Sequence, residues 1–147
     1  MQKQQIHLFR SHGWTLNQFP NLRSLSLDHI RSNEIIEDIL LECQCLTDLK
    51  LIGCYFGCRQ QDILRFMNHV WCLPSLIRCS LDIDLKHGLT IAIPTNISLS
   101  IKHLAIVGVP CRINQLINFC DCTPHLKSLA VDLYRALDDE IVQTPIV

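Results

Sequence analysis

The 147-residue chain is long enough for one hydrophobic core and too short for two large domains. Hydrophobic residues make up 48% and charged residues 18%, a balance that excludes intrinsic disorder. With 13 basic and 14 acidic residues the formal charge is −1, which argues against nucleic-acid and membrane-surface binding, since both need an excess of Lys and Arg.

The first ten residues are polar and contain no signal-peptide core. No apolar run approaches the roughly 20 residues of a transmembrane helix. An intracellular, reducing location, cytoplasmic or nuclear, is therefore expected. The nine cysteines then read as free thiols, and their odd number fits a disulfide framework poorly.

Along the chain a motif recurs as Leu-x-x-Leu-x-Leu. Its copies are Leu22, Leu25, Leu27; Leu46, Leu49, Leu51; Leu76, Cys79, Leu81; Ile101, Leu104, Ile106; and Leu126, Leu129, Val131. Successive copies start 24, 30, 25 and 25 residues apart. Phe19-Pro20-Asn21, Leu73-Pro74-Ser75 and Thr123-Pro124-His125 place a proline two residues before the first leucine, which ends a helix and opens an extended segment. Between copies lie apolar stripes at helical spacing: Ile35, Ile36, Ile39 and Leu40, with Ser32 as N-cap; Ile63, Leu64, Met67 and Val70; and Ile113, Leu116, Ile117 and Cys120. Leu89 to Pro94 instead alternates like a strand and predicts an extended segment on the convex side.

Each unit reads as strand, turn, helix and return loop, exposing an apolar side that stacking would bury. The expectation is an α/β solenoid of about five repeats, with a parallel concave sheet and convex helices. It forms a single domain over 1–147, with recognisable repeats over about 19–134. No capping unit follows the last copy, so a piece of a longer protein without a specific partner is one alternative.

The five copies, with helical intervals and Pro-x-Leu entries, resemble the leucine-rich-repeat superfamily. The irregular spacing resembles the repeats of F-box/leucine-rich-repeat proteins. That resemblance implies a protein-interaction scaffold that recognises substrates for a ubiquitin ligase. A ligase adaptor would bind only through a motif outside this chain. The segment Asn33 to Leu40 is similar to an F-box only loosely: it lacks a Leu-Pro start, and it reads better as a repeat helix. The family pattern continues to Asn or Cys at its ninth position. Here Cys54 fits, while Ile30, Asp84, Val109 and Tyr134 do not.

A cysteine-based metal or redox protein is the alternative of a different class. Cys43-Gln44-Cys45, Cys54 with Cys58, Cys72 and Cys120-Asp121-Cys122 supply thiols. They lack the two closely spaced pairs of a structural zinc site. Buried apolar cysteines explain them better, and neither a cofactor nor a metal is expected. The histidines scatter over different repeats and no Gly-rich phosphate loop occurs, so no enzyme is expected. Residues between the strand leucines point the other way, onto the concave face. From that outward set, Asp28, Asp48, Lys50, Arg78, Asp82, His103 and Asp132, together with Tyr134, are the expected contacts for a protein partner. Trp14 and Trp71 are expected to pack at the end and in the helix layer.

Overall fold

A computed structural model describes residues 3–132. Five strands, β1 (Ser24–Asp28), β2 (Asp48–Phe56), β3 (Arg78–Leu85), β4 (His103–Pro110) and β5 (Ser128–Asp132), form one sheet in the order β1-β2-β3-β4-β5. Every neighbouring pair is parallel. Helices α2 (Asn33–Glu42), α3 (Gln60–Trp71) and α4 (Ile113–Cys122) fill three of the four intervals, and α1 (Lys3–Ser11) precedes β1. The chain is thus α/β with a five-stranded parallel sheet.

The register follows the sequence repeat. Leu25, Leu49, Cys79, Leu104 and Leu129 lie opposite one another, and so do Leu27, Leu51, Leu81, Ile106 and Val131. In the first four strands both rows are buried, Cys79 among them as a small apolar residue. Removing such a side chain from water contributes about 1.5–3 kcal/mol, so these rows dominate the core.

A second device repeats just before the strands. The Arg23 carbonyl accepts from the N–H groups of Thr47 and Asp48 at 2.7 and 3.0 Å. Thr47 does the same for Ile77 and Arg78, Ile77 for Lys102 and His103, and Lys102 for Lys127 and Ser128. Each acceptor directly follows the first leucine of its copy. The prolines act where expected: Leu22 N–H donates to the Phe19 carbonyl and Leu126 N–H to Thr123, both at 3.0 Å, closing β-turns with Pro20 and Pro124 at the second position.

The helices lay their apolar sides on the buried face of the sheet. Ser32 caps α2, accepting from Ile35 N–H at 3.4 Å. In α3, Ile63, Phe66, Met67, Val70 and Trp71 are buried, and Phe66 meets Phe56 of β2 edge-on at 4.8 Å. Trp71 lies within the helix layer and contacts Phe119 of α4 at 5.8 Å. The buried side of α4 differs from the expected stripe: Phe119 is fully buried, whereas Ile117 and Cys120 are exposed. The larger ring of Phe119 reaches Trp71 and turns the helix onto its side. Between α2 and α3, Arg65 bridges Glu37 and Asp62 at 3.0 Å each.

The third interval carries neither helix nor strand over residues 86–102. Ile91 and Pro94 are nevertheless buried. Amide side chains of the flanking helices satisfy the backbone in place of a helix's own bonds. Gln60 both accepts from Thr90 N–H at 3.0 Å and donates to its carbonyl at 2.8 Å, Asn68 accepts from Thr95 N–H, and Gln115 donates to Ile91. Helix α1 was not foreseen in so polar a segment. It is tied to α2 through Arg10, which pairs with Asp38 and Glu42, while Phe9 packs edge-on against the half-exposed Trp14 at 5.5 Å.

After the second buried residue of β1, β2 and β4 the chain turns. His29, Gly53 and Gly108, four residues beyond Leu25, Leu49 and Leu104, all have positive φ (53°, 57° and 82°). This extra residue shifts the side-chain alternation, so the next inward residues are Ile30, Cys54 and Val109, all buried. Strand β3 has no such residue. There Ile83, not Asp84, lies opposite Cys54 and is buried, while Asp84 is exposed. The ninth position is therefore displaced by one in this copy.

The turn at Gly108 generates a quantitative expectation. A Cβ there would sit 2.7 Å from the Ile83 carbonyl oxygen, at a φ that L-residues resist. Gly88 has a similar φ, 88°, with nothing within 4 Å. Gly108→Ala is expected to cost about 3 kcal/mol and Gly88→Ala about 1 kcal/mol in urea unfolding. Equal costs would show that the Ile83 carbonyl does not crowd this turn.

Candidate functional site

The face of the sheet away from the helices carries the outward residues in straight rows, because the register is parallel and unshifted through the first part of every strand. The first row is Ser24, Asp48, Arg78, His103 and Ser128, and the second is Ser26, Lys50, Ser80, Ala105 and Ala130. Together they line a depression of about 420 Å³ crossing all five strands. The second row shrinks to Ser80, Ala105 and Ala130, and these small side chains open the space that the longer Arg78 and His103 border.

Polarity in the first row is organised in pairs. Arg78 Nη1 donates to Asp48 Oδ1 at 3.2 Å, and Thr47 Oγ1 donates to Asp48 Oδ2 at 2.7 Å. These contacts, Thr47 first and Arg78 after it, hold the Asp48 carboxyl below the usual carboxylate range. His103 Nδ1 shares a hydrogen bond of 2.8 Å with Ser128 Oγ. Lys50 is exposed, with no carboxylate within ion-pair distance among the described residues.

Of the expected contacts, the structure brings Asp48, Lys50, Arg78 and His103 together in the depression. Asp28 and Asp82 lie one row further along, outside it. Asp28 pairs with the neighbouring His29, and Asp82 Oδ2 accepts from Gly53 N–H at 3.2 Å, tying β3 to the turn of β2. Asp82 is thus engaged by its own fold. Asp132 lies opposite Pro110, because β4 makes its turn through Val107, Gly108 and Val109 before that pairing. It is displaced from the row expected of it. Tyr134 lies outside the described residues. The outward set of the sequence also contains Ser24, Ser26, Ser80, Ser128, Ala105 and Ala130, which a choice by charge and hot-spot type leaves out of the expected contacts although they line the depression. Their signal was present: they occupy the same outward positions, and their small size shapes the depression.

The cysteines form a different population. Cys43, Cys54, Cys79 and Cys111 are buried, and all nine are free. Burial pushes the Cys43 and Cys111 thiols up to about 11 and Cys79 up to about 12; Cys54, Cys58 and Cys122 are also raised by burial. Such thiols are poor nucleophiles. Among the described residues no group of three His, Cys, Asp or Glu is arranged to hold a metal ion. Nor, among them, is any helix long and apolar enough to cross a membrane. Comparison of the chain with family models, curated proteins and solved structures returns no match.

Two measurements on the thiols check this packing. At pH 8, maleimide should label the exposed Cys45, Cys72 and Cys120 before Cys43, Cys79 and Cys111, as read by peptide mass spectrometry. Labelling of Cys79 as fast as Cys45 would contradict its burial. The unfolded chain ionises these thiols from their ordinary value of 9.0, the folded chain only near 11 to 12. Their contribution to stability is thus complete below pH 9 and lost as pH rises from 9 towards 12. The denaturation midpoint should fall across that window, and less so when Cys79 is replaced by Ala.

Proposed function

We propose that this chain is a leucine-rich-repeat solenoid that binds a polypeptide partner across the open face of its sheet. The observation that carries the reading is the depression itself. Five strands in one register present two rows of outward side chains whose shape and polarity come from every repeat. A surface assembled from many repeats suits an extended partner, because contacts add along the rows. Its content of one ion pair, a Lys with no carboxylate partner among the described residues, a His, hydroxyls and alanines suits a polypeptide better than a polyanion. The resemblance of the repeats supports substrate recognition for a ubiquitin ligase, with the adaptor contact made outside this chain. On this reading the chain binds and does not catalyse, needs no cofactor, and works inside the cell.

Reversing the Asp48–Arg78 pair as Asp48→Lys plus Arg78→Glu keeps an attraction between the two positions while inverting the charges a partner meets. Affinity capture with quantitative mass spectrometry should recover a partner with the wild type and at least about tenfold less with the variant, given about 1.5–3 kcal/mol for a charge-assisted contact. Equal recovery by both proteins, with the variant melting like the wild type, would remove the open face as the binding surface.

A further inference from the structure

The charges around the depression are uneven in a way that specifies part of its occupant. Lys50 and Arg78 are positive, Asp48 is negative, and His103 adds a positive charge when protonated. The one carboxylate is already engaged, with Thr47 on one oxygen and Arg78 on the other. Arg78 spends Nη1 on it and is 65% exposed, so the guanidinium fork keeps donors for a second acceptor. Lys50 sits one residue pair along the sheet, beside Ser80 on the strand that carries Arg78. A local positive excess therefore occupies a chain whose net charge is −1.

We infer that the depression seats a single acidic side chain, Asp or Glu, of the bound polypeptide, its carboxylate between Lys50 and Arg78 and its stem over Ala105. This inference rests on the proposed binding role of the open face. The floor leaves room for the stem because Ser80 and Ala105 are small. A carboxylate matches the Arg fork in geometry and Lys50 in charge. Asp28 and Asp82 lie in the adjacent row and set the limit: they repel a run of negative charge, so an isolated acidic residue fits where a nucleic-acid backbone does not. The volume of about 420 Å³ accommodates a few side chains of an extended segment.

A phage-displayed library of random nonapeptides, panned on the immobilised full chain, tests this directly. The wild type should enrich peptides with Asp or Glu at one fixed position. Lys50→Glu, an exposed substitution whose folding is checked by its melting midpoint, should weaken a selected acidic peptide about tenfold and shift enrichment towards Lys or Arg. If peptides are retained and lost on the Asp48→Lys plus Arg78→Glu variant yet show no acidic position, the open face binds but the carboxylate seat is wrong. If no peptide is retained above an unrelated control protein, the binding role fails and the seat with it. Retention of a 20-nucleotide single-stranded DNA through Lys50, as tight as that of the selected peptides, would overturn the preference for an isolated carboxylate.

Discussion

The structure depends on one repeated hydrogen-bond arrangement: a carbonyl just before each of the first four strands accepts two successive N–H groups from the next copy. Arg23, Thr47, Ile77 and Lys102 all do this. Each bond pair fixes where the following strand begins relative to its neighbour. Because side chains alternate with a period of two, a slip by one residue would turn a whole set of leucines to solvent. The hydrophobic rows and the hydrogen-bonded entries thus specify the same register. Their agreement aligns Asp48 with Arg78 and His103 with Ser128 on the opposite face.

The strand ends show what happens when that alternation must change. His29, Gly53 and Gly108 enter the left-handed region and add a residue, so an inward side chain follows at once. Strand β3 achieves the same burial without the extra residue, using Ile83. Asp82 then stands between the two glycine turns, with its carboxylate on Gly53 N–H and its Oδ1 3.4 Å from the place a Gly108 Cβ would occupy. A charge that looks like a binding residue in the sequence therefore serves the fold, and the depression stops short of it.

Much of this was legible in the sequence because leucine spacing and strand register are one signal. The five strands, the buried and outward rows, the Ser32 cap and three interval helices follow from positions 22 to 131. What was illegible depended on neighbours. The face of α4 was set by Phe119 meeting Trp71, which spacing within the helix does not reveal. Leu89 to Pro94 alternates like a strand, yet the backbone of this segment is taken up by Gln60, Asn68 and Gln115 instead of by a sheet. Helix α1 has too few apolar residues for a periodic signal and is held through Arg10 and Phe9. At the site, charge alone marked Asp28, Asp82 and Asp132 as equals of Asp48. Asp28 and Asp82 lie in the next outward row, and the turn at Gly108 displaces Asp132.

The buried rows and the depression both follow from the register, which is therefore the feature to test first. Cross-strand Hα–HN nuclear Overhauser effects in isotopically labelled protein report it residue by residue. Parallel contacts are expected in the order β1 to β5, placing Asp48 beside both Ser24 and Arg78, and His103 beside both Arg78 and Ser128. A pattern placing Asp48 beside Cys79, or any antiparallel pair among these strands, would contradict this register, because the first row and the depression would no longer exist.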